Sequence, residues 1–286
     1  MPMQSIIGLD HVVVLVRDLD EGSRRWASLG FTVSPLGLHS ASMGTANHTI
    51  MLGEDYLELI AVVAPTERNL QSREFMAKRG EGIERAAFTG TNADDGVAEL
   101  KSRGYAALGP FDFSRPVDLP DGQRTRASFR TFLWPVEERP GGLRIFACQH
   151  LTRENVWLSN LVTHANTATR IDRVEMLSNN PAAAAAHMGR LIDRQTETLQ
   201  DGALRVQTGA GRGDFVFLDR TTLEKRHPGV SLAGVPDEGA ITISVVVSDL
   251  ARAKAAVGAK LAVATANSVK VAPVEANGVI LELKRS

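Results

Sequence analysis

The chain has one cysteine, Cys148, among its 286 residues. A disulfide framework and a cysteine-rich zinc site are therefore both excluded. It also lacks an excess of either charge: 32 basic and 33 acidic side chains leave a net charge of −1. That gives neither the basic field that nucleic acid requires nor an acidic tail. No apolar stretch approaches the length of a membrane span. Met1 to Ile7 show no basic region followed by a long apolar run, so no secretion signal is visible. The expectation is a soluble cytoplasmic protein with no nucleic-acid or membrane partner. The one glycine-rich run, Gly209-Ala210-Gly211-Arg212-Gly213, lies between strands and lacks the strand–turn–helix context of a phosphate loop, so it reads as a hairpin turn.

What the chain does have is repetition. Leu9–Val16 is β-rich and almost wholly apolar, as a strand buried on both faces is. Asp18 and Asp20 offer N-caps for a helix that Gly30 ends. Phe31-Thr32-Val33 reads as a short strand, and Thr49–Leu52 and Tyr56–Val63 read as a hairpin around Gly53-Glu54-Asp55. The same β-α-β-β-β order restarts at Ile83, Ile171 and Ala240. Three openings align without gaps: Leu9-Asp10-His11, Ile83-Glu84-Arg85 and Ile171-Asp172-Arg173. Two closings match as well, Leu57-Glu58-Leu59 and Leu281-Glu282-Leu283. Repetition on this scale is the best guide to a fold. It predicts an α+β protein of four βαβββ units in two domains, residues 1–154 and 170–286, joined by a linker over 155–169. Each domain would be a curved, largely antiparallel sheet with helices outside and a cleft within. Pairing units one and four instead would bring Glu58 and Glu282 toward one cleft.

His11 and Glu58 are the polar exceptions in these apolar strands, and a buried carboxylate is costly unless paired, hydrogen-bonded or metal-bound. With histidine in the first strand and glutamate in the last, the unit resembles the vicinal oxygen chelate superfamily, and more narrowly its glyoxalase-like domain proteins. The resemblance rests on Leu9–Val16, Gly44-Thr45-Ala46-Asn47, Tyr56–Ile60, Phe146–His150 and His164–Ala168. It implies a divalent metal (Fe, Mn, Ni or Zn) in the cleft, held by the first and last strand of each unit. Carried over, the ligands are His11, Glu58 and one of Gln149 or His150, since adjacent strand residues face opposite sides. Arg85 takes the remaining place and cannot ligate. Glu58 doubles as the catalytic residue. Arg85, Arg126, Arg130 and Asn47 are the substrate-binding candidates.

The implied activity is a glyoxalase-like, metal-dependent lyase or isomerase acting on a small, oxygen-rich, carboxylate-bearing substrate. One alternative is a metal-free binding protein of the bleomycin-resistance type, in which Arg85 neutralises Glu58 by an ion pair across the cleft. A further alternative is an extradiol-type dioxygenase. A homodimer is expected as the assembly. Arg124, Arg126 and Arg130, at even spacing, share one strand face. His39, His48, His187 and His227 read as solvent-facing, Cys148 as an apolar filler, and the second domain as structural or as a wall of the site.

Overall fold

The computed structural model describes residues 2–286. Among the described residues, sixteen strands form two sheets of eight, with six α-helices. The first sheet comprises β1 (Ile6–Leu15), β2 (Gly37–Leu38), β3 (Thr45–Met51), β4 (Tyr56–Val62), β5 (Gly82–Gly90), β6 (Leu108–Asp118), β7 (Arg124–Leu133) and β8 (Arg144–His150). Its order is β2-β3-β4-β1-β5-β8-β7-β6. The second comprises β9 (Ala168–Leu177), β10 (Thr196–Thr198), β11 (Leu204–Val206), β12 (Asp214–Leu218), β13 (Gly239–Val247), β14 (Leu261–Ala264), β15 (Ser268–Val271) and β16 (Ile280–Lys284), and repeats that order as β10-β11-β12-β9-β13-β16-β15-β14. Units one and two therefore share one sheet and units three and four the other. Within each unit the first and last long strands pair in parallel, and the other pairings are antiparallel. The sheets are α+β and largely antiparallel, as the repeat predicts.

The helices are α1 (Leu19–Ala27), α2 (Leu70–Arg79), α3 (Ala93–Ser102), α4 (Pro181–Ile192), α5 (Arg220–Arg226) and α6 (Leu250–Val257). Four occupy the helix place of each unit, and their N-caps are side chains that accept from the first turn: Asp18, Asn92, Asn180 and Asp249. The predicted strand at Phe31–Val33 is absent; that segment is loop. Helix α2 was not foreseen, because it lies between two units and belongs to neither repeat. It packs Phe75 and Met76 onto Val13, Leu15 and Ile60 and so closes one end of the first sheet's concave face.

One apolar cluster runs through both halves of the molecule. It joins Val12, Val14 and Phe88 of the first sheet to Val174, Phe215 and Ile243 of the second, and the Phe88 and Phe215 rings lie 6.1 Å apart. Polar contacts cross the same boundary. Trp26 Nε1 donates to Asn277 Oδ1, Trp134 Nε1 to the Leu191 carbonyl, and the Leu9 amide to Thr208 Oγ1. The stretch 155–169 is tied down as well: His164 and Asn166 are both buried.

Candidate active site

The first sheet curls around a cavity of about 360 Å³. His11 on β1, Glu58 on β4 and Arg85 on β5 all line it. Strand alternation would send Asp10 and His11 to opposite faces. Asp10, however, is an extra residue in β1: the register passes from Leu9 opposite Phe88 directly to His11 opposite Ala87. Such a bulge turns two neighbours toward one side. Asp10 Oδ2 accordingly lies 2.7 Å from His11 Nδ1. The same feature recurs in β5, where Glu84 is the extra residue and its Oε2 lies 3.1 Å from Arg85 Nε. It recurs again in β9, where Asp172 is extra and pairs with Arg173 at 2.9 Å. An acid followed by a base, on a bulge, opens three of the four units.

Asp10 is fully buried and accepts from three groups: Thr89 Oγ1 at 2.7 Å, His11 Nδ1, and His150 Nε2 at 2.9 Å. Burial would raise its pKa, but His150 and His11 hold the carboxyl far below the ordinary range. An ionised Asp10 fixes Nδ1 of His11 as its donor and orients the ring so that Nε2 faces the cavity. That Nε2 faces Glu58 Oε2 across 3.7 Å, too long for a hydrogen bond. Tyr56 stacks on the His11 ring at 4.3 Å, and Phe146 meets it edge-on at 5.5 Å.

Glu58 takes a 2.5 Å hydrogen bond from Asn47 Nδ2 on its other oxygen. A Cβ at Gly37 would collide with Asn47 Oδ1, so the close approach of β2 to β3 needs glycine there. Burial pushes the Glu58 pKa up, but His11, His39, Arg85 and the Asn47 hydrogen bond together bring it below its ordinary value. Arg85 acts on Glu58 only through space; its own ion pair is with Glu84, which Arg144 shares. The cross-cleft Arg85–Glu58 ion pair is therefore not formed.

Four of the eight candidate residues lie at the cavity: His11, Glu58, Arg85 and Asn47. The other four do not. Gln149 Oε1 accepts from the Ala93 amide at the start of α3, on the outer face. His150 faces inward but beneath Tyr56, and it reaches His11 only through Asp10. Arg126 is exposed and bonded to Ser114, and Arg130 is held by Asp94 and Asp112. Both share the outer face with Gln149, since Arg130 pairs in register with Gln149. Register places Phe146, rather than Gln149 or His150, at the position on β8 that Glu58 holds on β4. On β4, Glu58 lies two residues beyond Tyr56, the partner of His11. On β8, the residue two beyond Arg144, the partner of Arg85, is Phe146.

Sequence reasoning also missed His39 and Arg115. His39 lines the cavity, and its Nδ1 lies 2.7 Å from Thr45 Oγ1. Burial lowers its pKa, so its imidazole is neutral at pH 7. Arg115 on β6 also lines the cavity. Among the described residues, the one group of three or more metal-capable side chains whose donor atoms lie within 4.8 Å of one another is Asp10, Cys148 and His150.

In the second sheet the corresponding positions are filled by an ion network. Arg173, at the place of His11, bonds Glu282 at 2.5 Å and Glu175 at 2.9 Å. Glu175 in turn binds Arg226 and the buried His227.

Paired βαβββ units around an inward-facing histidine and glutamate define a protein of the vicinal oxygen chelate fold. The chain belongs to the glyoxalase-like domain family, whose model matches residues 9–192. No curated protein matches it in sequence. Among solved structures it is similar to a hypothetical protein from Staphylococcus aureus, with TM-score 0.70 and 13% identity over 97% of this chain and 99% of that one. It is also similar to a mutant 4-hydroxymandelate synthase from Streptomyces coelicolor, with TM-score 0.62 and 12% identity over 100% and 93%. A xylose isomerase-like/4-hydroxyphenylpyruvate dioxygenase fusion protein gives TM-score 0.58 and 15% identity over 100% of this chain and 50% of that one. At these identities the likeness concerns the fold.

Proposed function

We propose that the first-sheet cleft is the active site of a metal-assisted enzyme of the lyase or isomerase type. It would move a proton next to the carbonyl of a small 2-oxo acid or a related substrate with two neighbouring oxygens. The observation that carries this reading is His11 Nε2 facing Glu58 Oε2 at 3.7 Å, with Nδ1 held by Asp10.

The family likeness implies a divalent ion. Of the fold's four inward places, His11 and Glu58 carry donors, whereas Arg85 and Phe146 do not, so a four-donor site does not fit. A two-donor site does. Bonds of about 2.0–2.2 Å to nitrogen and oxygen bring two ligands of one ion within about 4 Å of each other, and a ligating histidine characteristically donates its other nitrogen to a carboxylate. When bound, the ion supplies Lewis-acid polarisation of a carbonyl oxygen. The chain supplies the rest. Arg85 presents a guanidinium that suits a carboxylate. His39 offers a neutral imidazole beside Glu58, able to take up a proton at pH 7. Tyr56 and Phe146 shield His11 from water.

Solvent exchange followed by NMR in D2O tests the reading. The C3 protons of phenylpyruvate or 2-oxobutyrate should exchange faster than in buffer, and Glu58→Gln and His11→Ala should each slow the reaction by about 100-fold. Exchange at the buffer rate for both acids, or unchanged exchange in the two variants, would contradict it. The presence of Arg85 and Phe146 at ligand places favours a second reading, a metal-free binding protein. That reading expects ligand binding with no exchange at all.

A further inference from the structure

The cavity wall carries more positive charge than its own carboxylates offset. Arg115 lines the cavity and has no ion pair or hydrogen bond among the described residues. Arg85 and Arg144 share one carboxylate, Glu84, and Glu58 is the other acid facing them. The remaining acids of the wall, Asp112 and Glu138, are taken up by Arg130 and His187. A half-buried guanidinium without a partner is costly, and an anion from outside would offset that cost.

Beside Arg68 and a few hydroxyl and amide side chains, the rest of the wall is apolar and aromatic, with Met43, Tyr56, Phe113, Phe129, Trp134 and Phe146. Phe113 and Arg115, two residues apart on β6, share a face. Phe113 stacks on Phe129 of β7 at 4.8 Å. A guanidinium and an aromatic pair thus stand side by side, facing one cavity whose volume, about 360 Å³, lies within the range of small-ligand sites.

We propose that the cleft takes an apolar monocarboxylate, an aryl or branched acid, with Arg115 and Arg85 on its carboxylate and the Phe113–Phe129 wall along its body. The proposal rests on the cleft being the ligand site, as argued above. Arg115 is then a specificity-determining residue: it selects a monoanion, and the aromatic wall rejects small hydrophilic acids.

The test is equilibrium binding to the full-length protein, measured by calorimetry with phenylacetate, phenylacetamide and acetate. Phenylacetate should bind at least about tenfold more tightly than either the neutral amide or the small acid. Arg115→Gln should weaken phenylacetate by about tenfold and leave phenylacetamide unchanged; Arg115→Lys should recover part of the loss. The proposal is overturned if phenylacetate shows no saturable binding, if the amide or acetate matches it, or if folded Arg115→Gln binds it as the wild type does. Should Arg115→Gln fail to fold, the three-ligand comparison on the wild type still decides. Because no turnover enters, the outcomes separate. Selective binding without proton exchange overturns the proposed reaction alone, and exchange without selective binding overturns this inference alone.

Discussion

Asp10 is the residue on which the candidate site turns, and nothing in the alternation of β1 points to it. It accepts from both His11 and His150 and so sets the orientation of the first. Asp10→Asn leaves the volume intact but removes the charge that fixes the His11 tautomer. Divalent-metal affinity should fall by about 10- to 100-fold, as for other partners of ligating histidines, with the loss read by calorimetric titration. The signal was present in the sequence in another form. Asp10-His11, Glu84-Arg85 and Asp172-Arg173 are three acid–base dipeptides at one place in the repeat. His39 offered no such signal; it lies between β2 and β3, and only the folding of that loop over Glu58 brings it to the cavity.

At the scale of elements, the repeat made the strand order within units legible, along with the helix cap at Asp18 and the placing of His11, Glu58 and Arg85. It could not give register. A bulge shifts which residues face inward by one place, and only the pairing of β5 with β8 shows that Phe146, not Gln149 or His150, stands where Glu58 stands on β4. Register therefore makes a constructive prediction. Arg85→His combined with Phe146→Glu restores four donors and should raise metal affinity by about tenfold or more over the wild type, measured by the same titration. The second sheet shows the closed counterpart of this site, in which Arg173 reaches Glu282 directly. Glu175→Ala there would take from the buried His227 its carboxylate partner, while Arg173 keeps Glu282 and Arg226 keeps Asp201. It should cost about 1–3 kcal/mol in chemical denaturation, with the first-sheet cleft unaltered in ligand binding.

The whole molecule is held by an interface between its two sheets. A shared core and buried tryptophan hydrogen bonds across the boundary predict a single cooperative unfolding transition. Two separated transitions in calorimetry would contradict that. The same boundary carries a pH-sensitive contact. Asp55, in the β3–β4 turn, is buried against β9, where it accepts from the Ile171 amide at 3.1 Å. Burial raises its pKa from 3.8 to about 7, against the opposing charge of Arg212. Between those values the folded chain binds the proton and the unfolded chain does not, so this group's contribution to stability falls as pH rises through that window and is flat above it. The loss amounts to at most about 4 kcal/mol. Asp55→Asn should flatten the dependence and leave the variant more stable than the wild type at pH 8, read by thermal unfolding across pH.

In the proposed reading, His11 and Glu58 hold a divalent ion in the first-sheet cleft. Calorimetric titration of the chelator-stripped protein with Ni(II) or Mn(II) tests it most directly. The expected result is saturable, stoichiometric uptake that His11→Ala abolishes and Cys148→Ala leaves intact. The contradicting result is no saturable uptake, or uptake that survives His11→Ala and is lost in Cys148→Ala, which would move the ion to Asp10, Cys148 and His150.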